Sequence, residues 1–142
     1  MKRGKTPNAI VPSRVAGVTL VELMVAVVIV AVLAAIAYPS YRNFTAKGNR
    51  AAAQAFMMDV ANREKQYLLD ARQYIAVANN SAFSGALNVS VPSEVSKFYQ
   101  VSVGTAATPP SFTVTATAQG TQVSDGDLQL TSDGTKTPST KW

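Results

Sequence analysis

The chain has 142 residues, one domain's worth, with 13 basic and 8 acidic side chains and neither histidine nor cysteine. Disulfides, thiolate metal sites and cysteine nucleophiles are therefore excluded, and the commonest general base and metal ligand is missing, so catalysis would rest on carboxylates, lysine or hydroxyls alone. The formal charge of +5 is concentrated at the start: Lys2, Arg3, Lys5 and Arg14 precede Gly17, and nine basic residues face eight acids after it.

Residues 1–17 are hydrophilic and basic, and Pro7 and Pro12 argue against a stable helix. From Val18 to Tyr38 the chain is apolar or small apart from Thr19 and Glu22. As a helix this run is roughly 31 Å long, about the thickness of a bilayer's hydrocarbon core. Positive charges just before it favour a cytoplasmic N-terminus. A carboxylate in such a run is costly in lipid, which makes Glu22 a functional candidate in need of a partner. An ordinary secretory signal is the bland alternative, since Ala35-Ile36-Ala37 has the small-x-small spacing of a cleavage site. Glu22 inside the apolar core and a helical pattern that continues past Ala37 count against it.

Beyond Pro39 the apolar positions Tyr41, Phe44, Gly48, Ala52, Ala55, Phe56, Val60 and Tyr67 recur mostly three to four apart, which predicts an amphipathic continuation of the same helix over 40–75. Pro39 should kink or locally open it. Residues 76–97 read as a connecting loop with a short extended piece at Asn88–Val91. Strands are expected at Phe98–Val103, Phe112–Ala118 and Asp127–Thr131, separated by Pro109-Pro110 and followed by a turn at Ser132–Thr135 and a brief fourth strand. Short connections make the sheet antiparallel. The fold class is α+β: a long N-terminal transmembrane and amphipathic helix packed on a small sheet and tail over 98–142.

A basic leader, a glycine, an acid five residues on and a membrane-length helix together resemble the N-terminus of type IV prepilins. The resemblance implies that a prepilin peptidase cuts after Gly17 and methylates Val18. It also implies that Glu22, with Thr19 beside it, serves assembly by pairing with the N-terminal ammonium of a neighbouring subunit. Each buried charge is expensive alone, so pairing them fixes register even where it adds little net stability. Pro39 sits where the family usually has a proline. The chain departs from the family in beginning its mature part with Val18 and in having Ala31 where a helix-loosening glycine is common. The last strand and the tail ending at Trp142 resemble PilE-like minor pilins, in which two cysteines close a loop. Those positions fall on Asp125 and Lys141, giving an expected ion pair worth about 0–1 kcal/mol if exposed.

The resemblance implies a filament subunit without enzymatic activity, anchored in the inner membrane before assembly and displayed in an extracellular pilus afterwards. The expected partners are other pilin subunits, the prepilin peptidase, the inner-membrane assembly platform and membrane lipid; no cofactor and no metal is expected. A secretion pseudopilin would gather calcium at Asp125, Asp127 and Asp133, but their spacing fits no EF-hand loop, and acids next to glycine are more often simply turns. A DNA-uptake pilin would use Lys97, Lys136 and Lys141 with Tyr99 and Trp142. With so few charges the solvated-surface reading outweighs it, and no nucleic-acid partner is expected.

Overall fold

The computed structural model describes residues 17–142; the expected leader, apart from Gly17, lies outside the described residues. The chain forms two units, one ending at Pro39 and the other running from Ser40 to Trp142. Helix α1, Leu20–Ala71, supplies residues to both and stays helical through Pro39.

In the first unit every described side chain is exposed. An apolar helix with no polar face cannot remain uncovered in water. This one is long and apolar enough to cross a membrane.

In the second unit α1 lies against a four-stranded antiparallel sheet in the order β1-β2-β3-β4. The strands are β1 Tyr99–Ala107, β2 Pro110–Ala118, β3 Leu128–Thr131 and β4 Lys136–Thr137. Val103 faces Val114, which faces Leu130 in turn. Alternation then puts Tyr99, Val101, Val103, Phe112, Val114, Ala116, Leu128 and Leu130 in the core. The first hairpin is longer than the sequence suggested. Pro110 pairs with Ala107 at the turn instead of separating the strands, as a proline can at a strand's first residue.

The helix contributes Ala53, Phe56, Met57, Val60, Ala61 and Glu64 to the core. Of the apolar stripe read from the sequence, Phe56 and Val60 are buried and Ala52 and Tyr67 are half-buried, whereas Tyr41, Phe44, Gly48 and Ala55 are exposed. The first fully buried helix residue is Ala53, so the turns carrying Tyr41 and Phe44 have nothing of the sheet over them.

The segment 76–97 is more ordered than a connecting loop. It holds a 3-10 turn at Asn80–Ala82 and two short helices, α2 at Phe83–Ala86 and α3 at Ser93–Ser96. Phe83, with none of its surface exposed, meets Phe56 edge to face at 5.5 Å, while Val77, Leu87 and Val95 are also buried. Val77 exchanges backbone hydrogen bonds with Val103. The Asn80 amide imitates a further strand residue, donating to the Tyr99 carbonyl at 3.0 Å and accepting from the Val101 N–H at 2.7 Å. No strand forms at Asn88–Val91. Asn88 has φ 50°, left-handed backbone that interrupts an extended run.

Candidate functional site

Two places carry residues singled out in the sequence, and a third, Glu64, comes from the structure alone. At the start of α1, Thr19 is the capping residue. Its hydroxyl accepts from the Glu22 N–H at 3.2 Å and its carbonyl from the Leu23 N–H at 3.1 Å. Thr19 and Glu22 thus stand three apart as in a capping box, and the Glu22 charge falls at the positive end of the helix dipole. The sequence reading missed this local role, although the Thr-x-x-Glu spacing signals it. Gly17 and Val18 precede the helix, outside regular structure and exposed.

The second place ties the tail loop to α1. Asp125, which the sequence reading paired with Lys141, is held by Arg50 instead. Arg50 donates through Nε at 2.8 Å and through Nη2 to the other carboxylate oxygen. The Tyr99 hydroxyl donates to Asp125 Oδ2 at 3.2 Å, and Gln122 Nε2 lies 3.1 Å from the same oxygen. Gln122, almost fully buried, also reaches the Ala46 carbonyl and the Tyr99 oxygen, and its own carbonyl accepts from Asn49. Burial alone would push the Asp125 carboxyl up, but the hydrogen bonds and charge of Arg50, helped by Gln122 and Lys141, hold it below the usual carboxylate range. Burial, with the Asp125 charge adding to it, pushes the Tyr99 hydroxyl up to about 12. Lys141 thus acts on Asp125 through its charge, while its backbone carbonyl accepts from Gln54 at 2.7 Å.

Arg50 was legible in principle as the partner. With Ala53, Met57, Val60 and Glu64 it continues one buried stripe at spacings of three and four, and a cation on such a stripe needs an anion opposite.

The third place is Glu64, fully buried, with Oε2 accepting from the Ile75 N–H at 3.0 Å and Oε1 without a hydrogen-bond partner among the described residues. Burial raises its pKa, against the lowering effect of the Ile75 hydrogen bond. A raised folded value means that the stability from the neutral acid is fully present below the ordinary 4.5 and is lost as pH rises through the folded value. Gln imitates the neutral acid. Glu64→Gln should match the parent near pH 4 and melt above it at pH 7, a comparison that thermal unfolding at the two pH values makes directly.

The three aspartates considered for calcium do not converge. Asp125 is taken by Arg50, Asp127 accepts from the Ala118 N–H, and Asp133 accepts from Thr131 and Thr135 within its own turn. Among the described residues no group of three metal-ligating side chains gathers. The proposed DNA patch also changes composition, because Tyr99 is fully buried rather than exposed. Lys136 sits over the Trp142 ring, 5.0 Å from its centre.

Two family models match the chain. Residues 12–38 match the prokaryotic N-terminal methylation motif. Residues 39–129 match the family described as type IV minor pilin ComP, DNA uptake sequence receptor. The second match spans well over half of the chain, which therefore belongs to the type IV minor pilin ComP family. No curated protein and no solved structure matches it.

Proposed function

We propose that this type IV minor pilin is a non-enzymatic filament subunit, held in the inner membrane by residues 18–39 until it assembles with other pilins. The observation that carries the reading is the fully exposed apolar part of α1, residues 20–39, which starts at the Thr19 cap and holds a single acid, Glu22, in its first turn. Cleavage after Gly17 would place a new ammonium on Val18. In a bundle of such helices it is the natural partner for a neighbour's Glu22, because either charge bare in an apolar core is costly. The same prepilin peptidase would then methylate Val18. Pro39, which lacks an amide hydrogen, marks the boundary at which a bend costs the helix least.

N-terminal sequencing and intact mass, with and without the peptidase, test the processing. A start at Val18, one methyl group heavier and dependent on the enzyme, is expected; a start at Tyr38 would mean that signal peptidase had cut after Ala37. For assembly, Glu22→Ala should leave processing and membrane content unchanged and lower recovery in sheared filaments at least tenfold. Normal recovery would refute the pairing.

The family's description favours a second role, in which the exposed head contacts DNA during uptake. Lys136 stacked on Trp142 offers one cation and one aromatic face for it. Retention of duplex DNA by the parent and its loss in Lys136→Glu would support that role. Absence of binding by the parent at low salt would remove it.

A further inference from the structure

Beside the Arg50–Asp125 pair lies a shallow cleft of about 180 Å³, lined by Asn43, Ala46, Lys47, Arg50, Ser124 and Asp125. Its one carboxylate is already engaged by Arg50, Tyr99 and Gln122. Two further cations stand around it. Lys47 is three residues from Arg50 on the same face of α1, an arrangement in which like charges oppose each other. Lys141 stands outside the lining, on the tail side: its ammonium is so close to Gly126, the neighbour of Asp125, that a side-chain carbon there would lie 3.3 Å away. Lys47 and Arg50 against Asp125 leave the lining with one surplus positive charge, and Lys141 beside Gly126 adds a second at its edge. The Lys47 ammonium, the Asn43 amide and the Ser124 hydroxyl make no hydrogen bond or ion pair to any described residue. Idle donors of these three kinds around surplus positive charge suit a tetrahedral oxyanion.

The position of the cleft in the chain narrows the source. Asn43 and Lys47 follow Tyr38 by five and nine residues, so whatever the bend at Pro39 the helix carries them at most about 7.5 and 13.5 Å beyond the apolar run. Helical side chains lean back toward the N-terminus, which returns the Lys47 ammonium by several ångströms. The polar layer of a bilayer extends about 5–7 Å beyond the hydrocarbon on each side. We infer that the cleft of Asn43, Lys47, Arg50 and Ser124, with Lys141 at its edge, binds the phosphate of an anionic phospholipid headgroup while the chain is in the membrane. The inference rests on the reading of residues 18–39 as the anchor. Bound lipid would fix the head against the bilayer before assembly, and transfer into a filament would release it.

The test uses the full chain in phosphatidylcholine nanodiscs, with amide shifts of Lys47, Ser124 and Gly126 followed as phosphatidylglycerol replaces part of the lipid. A saturating shift is expected. Lys47→Gln should weaken the apparent affinity about fivefold, and Lys47→Gln with Lys141→Gln further, each cation near the surface adding a comparable increment. Both variants leave Arg50–Asp125 in place, so Lys47→Gln should melt no lower than the parent and the double variant should lose only the small Lys141 contribution to Asp125. The same shifts in both lipids, or an unchanged titration in Lys47→Gln, would overturn the inference. So would inorganic phosphate reproducing the shifts in pure phosphatidylcholine, which would make the cleft a free-anion site. Movement of these amides by duplex DNA but not by phosphatidylglycerol would hand the cleft to nucleic acid. A chain that fails to enter the discs at all would refute the anchor reading itself, a result distinct from an anchored chain whose cleft ignores lipid charge.

Discussion

Phe83→Ala should destabilise the head by about 3–5 kcal/mol, the range for deleting a fully buried aromatic side chain. For a domain of about a hundred residues that lowers the melting temperature by roughly 12–40 °C. Phe83 has no exposed surface and packs edge to face on Phe56, so its removal opens a cavity between α2 and α1 and also loses the aromatic pair. The backbone around it is pinned on both sides. Leu87 and Val89 N–H groups donate to the Phe83 carbonyl, and the Asn79 side chain caps the turn before it. Little collapse can fill the hole. Thermal unfolding of the full chain in detergent, read by near-ultraviolet dichroism, checks this. A shift of under about 3 °C would mean that segment 76–97 is peripheral to the head's stability, contrary to its place in the core.

That segment is also where the sequence was least legible. Asn79-Asn80-Ser81, Gly85 and Pro92 are turn formers, and nothing in their spacing announces that Val77, Phe83, Leu87 and Val95 converge on one core. The Asn80 amide that completes the edge of β1 is equally invisible, since its role depends on a strand nineteen residues away. The long helix and the alternating strands were readable because their periodicity is local: Phe112, Val114 and Ala116 alternate with threonines in sequence as they do in burial. The helix face was read one step wrong for a tertiary reason. Phe44 is the same residue type as Phe56, and only the sheet's reach along the helix decides which is covered. At the tail, the pattern supplied Asp125 but not its partner. Lys141 is the neighbour by family position, whereas Arg50 lies 75 residues away and is brought in by α1.

The choice between those two cations has a measurable consequence. Asp125→Ala should destabilise the head by about 3 kcal/mol, because it strands a mostly buried guanidinium and takes an acceptor from both Tyr99 and Gln122. Arg50→Ala should cost less, since the carboxylate keeps those two donors and the nearby Lys141 charge. A double-mutant cycle should give a coupling of about 2 kcal/mol for Arg50 with Asp125 and under about 1 for Lys141 with Asp125. The reverse order would restore the tail pair expected from the sequence. The pH dependence supplies an independent check. Asp125 has a lowered folded pKa, so its contribution is fully present above the ordinary 3.8 and is lost as pH falls through the lower folded value. Glu64 has the opposite sign and gains as pH falls toward 4.5. Together they place the stability maximum in mildly acidic solution. Asp125→Ala should reduce the fall on its acid side, where Asp133, also held low by Thr131 and Thr135, keeps a share, and leave the fall on the neutral side, while Glu64→Gln should flatten the neutral side and leave the acid side. Two variants that flattened the same limb would show that the two groups do not titrate as their surroundings dictate.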